Sequence, residues 1–269
     1  MAAVSISRRV LLVGASGRFG SRLIPALLAH GHTVTAYVRN PSTLRTAVPL
    51  ELLEQIQVVH GDAEDVESVK AAIRKHNCDS LICTAGFPAA PLFGKPTRLP
   101  FITRATSQAA VDIGLERCEP MRGWWLAGIV FMQIPGYNGA SFYDHWKWLA
   151  PEHAKSVASV KSIPTSSLEW SIFCPSGMHP EAPQAAAATS ARDNPLVLSK
   201  SLSPEYKPTW LTMIPLIGMW IETVRMARQH FTLLEDCADR LAAELTTDDG
   251  EWVGQLVAPK IVRRERKAE

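Results

Sequence analysis

The segment Val13-Gly14-Ala15-Ser16-Gly17-Arg18-Phe19-Gly20 spaces three glycines three residues apart, between the apolar run Arg9 to Val13 and a stretch of helical periodicity. A strand that turns sharply into a helix is the setting that needs such spacing. Gly14 permits the turn, Gly17 has no side chain to keep a diphosphate from the backbone, and Gly20 lets the helix pack close to the strand. The helix start presents unpaired amides and partial positive charge, which suit phosphate oxygens. Gly14, Ser16, Gly17, Arg18, Phe19 and Gly20 are therefore expected to cradle a dinucleotide.

The rest of the chain repeats the same unit. Phe19 to His30 has helical spacing, with Leu23, Leu27 and Leu28 on one face and Gly31 as the stop. Thr33 to Val38, Ile56 to Val59, Ser80 to Cys83, Trp124 to Ala127 and Leu168 to Cys174 read as further strands. Helices are predicted from Asn40-Pro41-Ser42 onward and over Val66 to His76, Thr103 to Leu115 and Pro151 to Ser162. Alternating strands and helices predict an α/β chain, a Rossmann-type doubly wound parallel sheet. Residues 1–177 form the expected nucleotide-binding core. Residues 178–269 form a small C-terminal substrate-binding lid and closing elements of the same domain. Within them, Glu181 to Arg192 reads as a flexible loop, Thr209 to Phe231 and Leu233 to Leu245 as helices, and Trp252 to Ala258 as a last strand.

Composition narrows the class. The 269 residues are 46% apolar and 20% charged with a net charge of +2, so a nucleic-acid partner is not expected. The basic run Arg263 to Lys267 reads as a solvated tail. Five cysteines without CxxC spacing suit reduced thiols and a cytoplasmic location. Arg8 and Arg9 precede too short an apolar run for a signal peptide. Trp210 to Ile221, broken by Pro215 and Gly218, falls short of the roughly 20 residues that span a bilayer. His145 and His179 lack ligand spacing, so no metal is expected.

The second strand selects the nucleotide. Acids at its end bond a ribose 2′-hydroxyl, whereas an arginine there pairs with a 2′-phosphate. This chain has Val38-Arg39-Asn40, so NADP(H) is the expected cofactor, held by Arg39 with help from Arg18. Asp62 is placed to bond the adenine amine, and Thr84, Ala85 and Gly86 to line the nicotinamide ribose.

With its GxxGxxG turn, Arg39, Gly61-Asp62 and small-residue end at Thr84-Ala85-Gly86, the chain resembles the atypical short-chain dehydrogenase/reductases. That group includes NmrA-like proteins, isoflavone-reductase-like enzymes and biliverdin reductase B, and the similarity runs from about Arg9 to Gly177. Arg122 to Gly128, Gln133 to Gly136, Pro151-Glu152-His153, Cys174-Pro175 and Leu234 to Asp239 are similar to averufin oxidase-like proteins of fungal aromatic polyketide pathways.

The resemblance implies two catalytic centres. Short-chain dehydrogenases use a serine after strand five and a Tyr-x-x-x-Lys pair in which tyrosine moves the proton. Tyr143 and Lys147 have that spacing, but Ala127 and Gly128 stand where the serine belongs, and Pro151 implies that the next helix starts after Lys147. The rival is His153 with Lys155. Isoflavone-reductase-like enzymes use a lysine about as far before strand six as Lys155 lies, and histidine shuttles protons near neutral pH. Trp124 and Trp125 read as core. Tyr137, Phe142, Trp146, Trp148, Met178 and Trp210 suggest a flat aromatic substrate. The expected activity is NADPH-dependent reduction or oxidation of an aromatic polyketide-type ketone or quinone. A non-redox isomerase, dehydratase or cyclase and an NmrA-like NADP sensor remain open alternatives. Expected partners are a small aromatic molecule and, in one arrangement, a second copy in a homodimer, with no membrane.

Overall fold

A computed structural model describes residues 6–86, 97–133, 141–145, 151–186, 191–192, 194–202, 209–210, 214, 218–247 and 249–261. The first strand, β1 (Arg9–Val13), turns at Gly14 into α1 (Gly20–Ala29), and Gly31, at φ +78°, lets the chain leave α1 toward β2 (Thr33–Val38). Asn40 caps α2 (Pro41–Ala47) by accepting the Ser42 amide. A short α3 (Leu50–Leu53) leads to β3 (Gln57–His60). Asp65 then caps α4 (Val66–Lys75) through the amides of Glu67 and Ser68. Next come β4 (Ser80–Cys83), α5 (Leu99–Arg117), β5 (Met121–Leu126) and a 3-10 turn at Ile129–Phe131. The single helical turn α6 (Phe142–His145) precedes α7 (Pro151–Lys161) and β6 (Leu168–Phe173).

These strands lie in one sheet in the order β3-β2-β1-β4-β5-β6, all parallel, and the sheet continues through two later strands. β10 (Gln255–Ile261) joins parallel to β6, and β8 (Leu196–Ser199) pairs antiparallel to β10. The order reverses between β1 and β4, which opens the crevice where ligands of such sheets sit. Side chains alternate between two cores. Leu11, Val13, Leu81 and Trp125 face α4, α5 and α7, whereas Val10, Leu12, Ile82 and Trp124 face α1 and α9 (Leu234–Glu244). Both faces are dry, and each such side chain contributes about 1.5–3 kcal/mol of burial. Trp124 and Trp125 are core residues, as their sequence context predicts.

The C-terminal part differs from its sequence reading. Of the helix expected over Thr209 to Phe231, α8 (Gly218–Gln229) is helical, and residues 211–213 and 215–217 lie outside the described residues. β7 (Met178–His179) and β9 (Thr232–Leu233) make a separate two-stranded ribbon. The expected flexible loop at Glu181 to Arg192 is anchored at both of its ends. Arg22 donates to the carbonyls of Ala182 and Pro183, the Glu181 amide bonds Glu235, and Arg192 pairs with Glu181 and Asp236. Alanine-rich composition missed this because the anchors stand on α1 and α9, far away in sequence. Among the described residues no helix is long and apolar enough to cross a membrane.

Candidate functional site

Every residue read as cofactor-binding follows the C-terminal end of a strand, and the parallel register brings those ends level. Val13 pairs across to both Tyr37 and Cys83, so Gly14, Arg39 and Thr84 emerge along one edge. Gly14 has φ +82°, and a Cβ there would stand 2.8 Å from the Thr84 hydroxyl and 2.9 Å from the Ala85 amide nitrogen. A Cβ on Gly20 would collide with the Gly14 carbonyl, so two of the three glycines are required by packing alone. Gly17 and Arg18 are exposed and Ser16 is half-buried. Phe19 takes the N-cap position of α1, where its side chain makes no capping hydrogen bond, and no acid stands in the first turn. The amides of Gly17, Ser21 and Arg22 donate to the carbonyls of Gly14, Gly17 and Phe19, which leaves those of Arg18, Phe19 and Gly20 without a backbone partner among the described residues, and no acid stands in the turn to repel a diphosphate.

Two of the proposed contacts take a different form. The Phe19 ring is buried and stacks on Phe173 at 6.0 Å, so this residue can offer a ligand its backbone but not its side chain. The Thr84 hydroxyl donates to the Val13 carbonyl at 2.9 Å and lies 3.2 Å from that of Gly14. It clips β4 to the glycine turn, leaving Ala85 and exposed Gly86 as the groups open to a ribose.

At the adenine end, Arg39 is exposed after β2 and Asp62 follows β3. Tyr37, buried on β2, donates to the Asp62 carbonyl and bonds Ser68, and its phenol fills the space a Cβ on Gly61 would need. That explains the Gly61-Asp62 pair locally. The Asp62 carboxylate accepts from the Glu64 amide and from Arg98. The Glu64 amide first, then Arg98, with Arg39 adding, hold its carboxyl below the usual carboxylate range. Sequence reasoning missed Arg98: it stands 36 positions from Asp62 along the chain, behind a proline-rich stretch, and no spacing links the two.

The catalytic candidates sit past β5 and β6. The Ala127 amide donates to the Phe173 carbonyl and the Ile129 amide to that of Pro175, which extends the β5–β6 seam before the chain curls into the 3-10 turn. Phe131 in that turn lies 4.7 Å, centroid to centroid, from the Tyr143 ring. Asp144 accepts the Ser141 amide and hydroxyl, closing the turn that carries Tyr143. Burial, then the nearby Asp144 charge, raises the Tyr143 phenol above its ordinary value. Lys147 lies outside the described residues, as do Tyr137, Trp146 and Trp148, and Trp210 is exposed.

His153 stands in the first turn of α7 with Nδ1 buried and without a hydrogen-bond partner among the described residues, and burial lowers its pKa. Val157 and Val160 continue its face inward toward α5. Lys155 does not join it. Two positions along a helix point about 200° apart, and Lys155 is 66% exposed in an ion pair with Glu152 at 2.8 Å. The cysteines offer no nucleophile here: burial pushes the Cys83 thiol up to about 11 and that of Cys174 higher still. Among the described residues no cluster of three or more histidines, cysteines or carboxylates is arranged to hold a metal.

A family model described as NAD(P)H-binding matches residues 14–201. No curated protein matches the sequence. A short-chain dehydrogenase/reductase from Veillonella parvula, solved in complex with NADP, is 11% identical, with 94% of each chain covered and a TM-score of 0.57. An oxidoreductase from Lactococcus lactis is 14% identical over 94% of this chain and 91% of that one, at 0.57. A short-chain dehydrogenase from Streptomyces avermitilis is 17% identical over 94% and 88%, also at 0.57. At such identities the likeness is one of fold.

Proposed function

Because the chain belongs to the NAD(P)H-binding family, we propose that it is an NADPH-dependent oxidoreductase acting on a flat aromatic ketone or quinone. The observation that carries this reading is the outward-facing glycine turn at the start of α1, with Arg39 rather than an acid at the end of β2. Amides of Arg18 and Phe19 would bind the diphosphate where Gly17 keeps the approach free of a side chain, Arg39 would bind the 2′-phosphate, and Ala85 and Gly86 would leave room for the nicotinamide ribose. A bound dihydronicotinamide supplies the hydride. Tyr143, a phenol protonated at neutral pH, would give its proton to the oxygen being reduced, and because burial raises its pKa that transfer would need Lys147, the partner that the resemblance implies, to lower it. His153, kept neutral by burial, is the alternative proton-handling group. The adjoining rings of Phe131 and Tyr143, tilted by 36°, favour an aromatic substrate, and the resemblance to averufin oxidase-like proteins suggests a fungal aromatic polyketide. The elements after Gly177 would form its lid.

One observation favours a second reading. Ala127 and Gly128 put no hydroxyl after β5, and the seam to Phe173 and Pro175 fixes the backbone there, so acid–base isomerisation or dehydration on the same scaffold would need no missing group. Tryptophan fluorescence should report NADPH binding, after which aromatic ketones and quinones are supplied while the absorbance of reduced nicotinamide is followed. Substrate-dependent loss of that absorbance, abolished in Tyr143→Phe or in His153→Ala, is expected and identifies the donor. Turnover without such loss would establish the second reading, and no nucleotide binding would overturn both.

A further inference from the structure

Arg39 does not stand alone at the adenine end: two carboxylates, Asp62 and Glu64, share that corner of the sheet. Arg39 lies close enough to Asp62 to help hold its carboxylate ionised. Any 2′-phosphate captured by Arg39 would therefore approach two negative charges, and such a corner by itself favours a neutral ribose hydroxyl. Arg98, just before α5, removes the conflict. Its Nη2 donates to Asp62 at 2.8 Å and its Nε to Glu64, so one guanidinium bonds both acids. Nη1 has no hydrogen-bond partner among the described residues, and the side chain is 47% exposed.

We propose that Arg98 is a specificity-determining residue, which together with Arg39 balances the two charges of Asp62 and Glu64 so that a phosphorylated adenosine can settle on Arg39, and which offers Nη1 to its 2′-phosphate. The inference rests on the NADPH reading above. An exposed ion pair contributes little to stability, so the arrangement at Arg98 is better explained by the ligand than by the fold.

Adenosine 2′,5′-bisphosphate and ADP, titrated separately against the full chain by calorimetry, read this corner without any redox step. The intact chain should prefer the bisphosphate. Arg98→Ala should weaken it by about 10- to 100-fold and leave ADP within about twofold, with unchanged thermal melting. Adding Asp62→Asn to that variant should restore much of the lost affinity, because the repelling charge is gone. A merely structural role would lower both ligands together and show no rescue, which would overturn the proposal. If the intact chain binds neither ligand, or Arg39→Ala binds the bisphosphate as tightly as the intact chain does, the NADPH reading itself fails, a result distinct from equal preference ratios in the intact chain and Arg98→Ala.

Discussion

At the residue scale, the three glycines of the turn do different work, and substitution separates it. Gly14 combines a φ of +82° with a crowded Cβ position against Thr84 and Ala85. Alanine there pays for left-handed backbone, about 1–2 kcal/mol, and for displacing β4. Gly14→Ala is expected to lower unfolding free energy by about 2–4 kcal/mol in urea denaturation. Gly17 has no such constraint: a Cβ would meet the Gly14 carbonyl at 3.1 Å, and the backbone is ordinary. Gly17→Asp should cost less than about 1 kcal/mol of stability, yet abolish nucleotide binding by placing a carboxylate where the diphosphate belongs. Equal loss of stability in the two variants would contradict the division. The turn was legible in the sequence because glycine spacing dictates backbone geometry directly. Neither the commitment of the Thr84 hydroxyl nor the reach of Arg98 was legible, since their partners lie 71 and 36 positions away and only the folded sheet brings them near.

At the element scale, the same distinction runs through the secondary structure. Five of the six parallel strands and α1, α4 and α7 could be read within a residue or two of their ends, because apolar runs mark buried strands and caps such as Asp65 mark helix starts, whereas β5 begins at Met121, three residues before the expected Trp124. The two-residue strands β7 and β9 carry no periodicity, and edge strand β8 exists only because β10 is beside it. Elements are also joined by a pH-sensitive pin. His32, buried at the start of β2, accepts the Arg8 amide at Nδ1 (3.1 Å) and therefore donates from Nε2 to the Ala242 carbonyl on α9 (3.0 Å). Burial lowers its pKa, against a raising effect from the Ala242 carbonyl. The folded chain thus binds fewer protons at this site than the unfolded one. Its contribution is present above the ordinary value near 6.5 and is lost as pH falls through the depressed one. Urea midpoints at about pH 7.5 and about pH 5.5 should differ, with a slope of up to about 1.4 kcal/mol per pH unit from this group. His32→Asn should be less stable at the higher pH and flatter between the two. His153, also depressed by burial, leaves a residual slope. A profile equally steep in His32→Asn would remove the pin from the account.

At the scale of the whole molecule, the question is whether the part before Gly177 is a domain that carries a lid, or half of an indivisible unit. β10 enters the sheet beside β6, where the Cys174 amide donates to the Val257 carbonyl at 2.7 Å, and the Gly254 amide to that of Trp170 at 2.7 Å. α9 packs along α1, and its Leu234, Cys237, Ala238 and Leu241 complete the core that Leu23, Ile24 and Leu27 begin. Arg22, 7% exposed in the first turn of α1, bonds the Arg18 carbonyl of the nucleotide turn, the carbonyls of Ala182 and Pro183, and Glu235 of α9. One guanidinium thus ties the glycine turn to the segment after β7. A chain ending at Gly177 would expose the outer edge of β6 and the side of α1 that α9 covers, and would strip Arg22 of its acceptors at Ala182, Pro183 and Glu235. Such a fragment is expected to stay unfolded, and the full chain to lose far-ultraviolet ellipticity and tryptophan fluorescence in one coincident transition. Trp124 and Trp252 of one core and Trp125 and Trp170 of the other report on both faces of the sheet. Two separated transitions, or a 1–177 fragment that folds and binds NADPH, would show that the C-terminal elements are an attachment and that the nucleotide site stands without them.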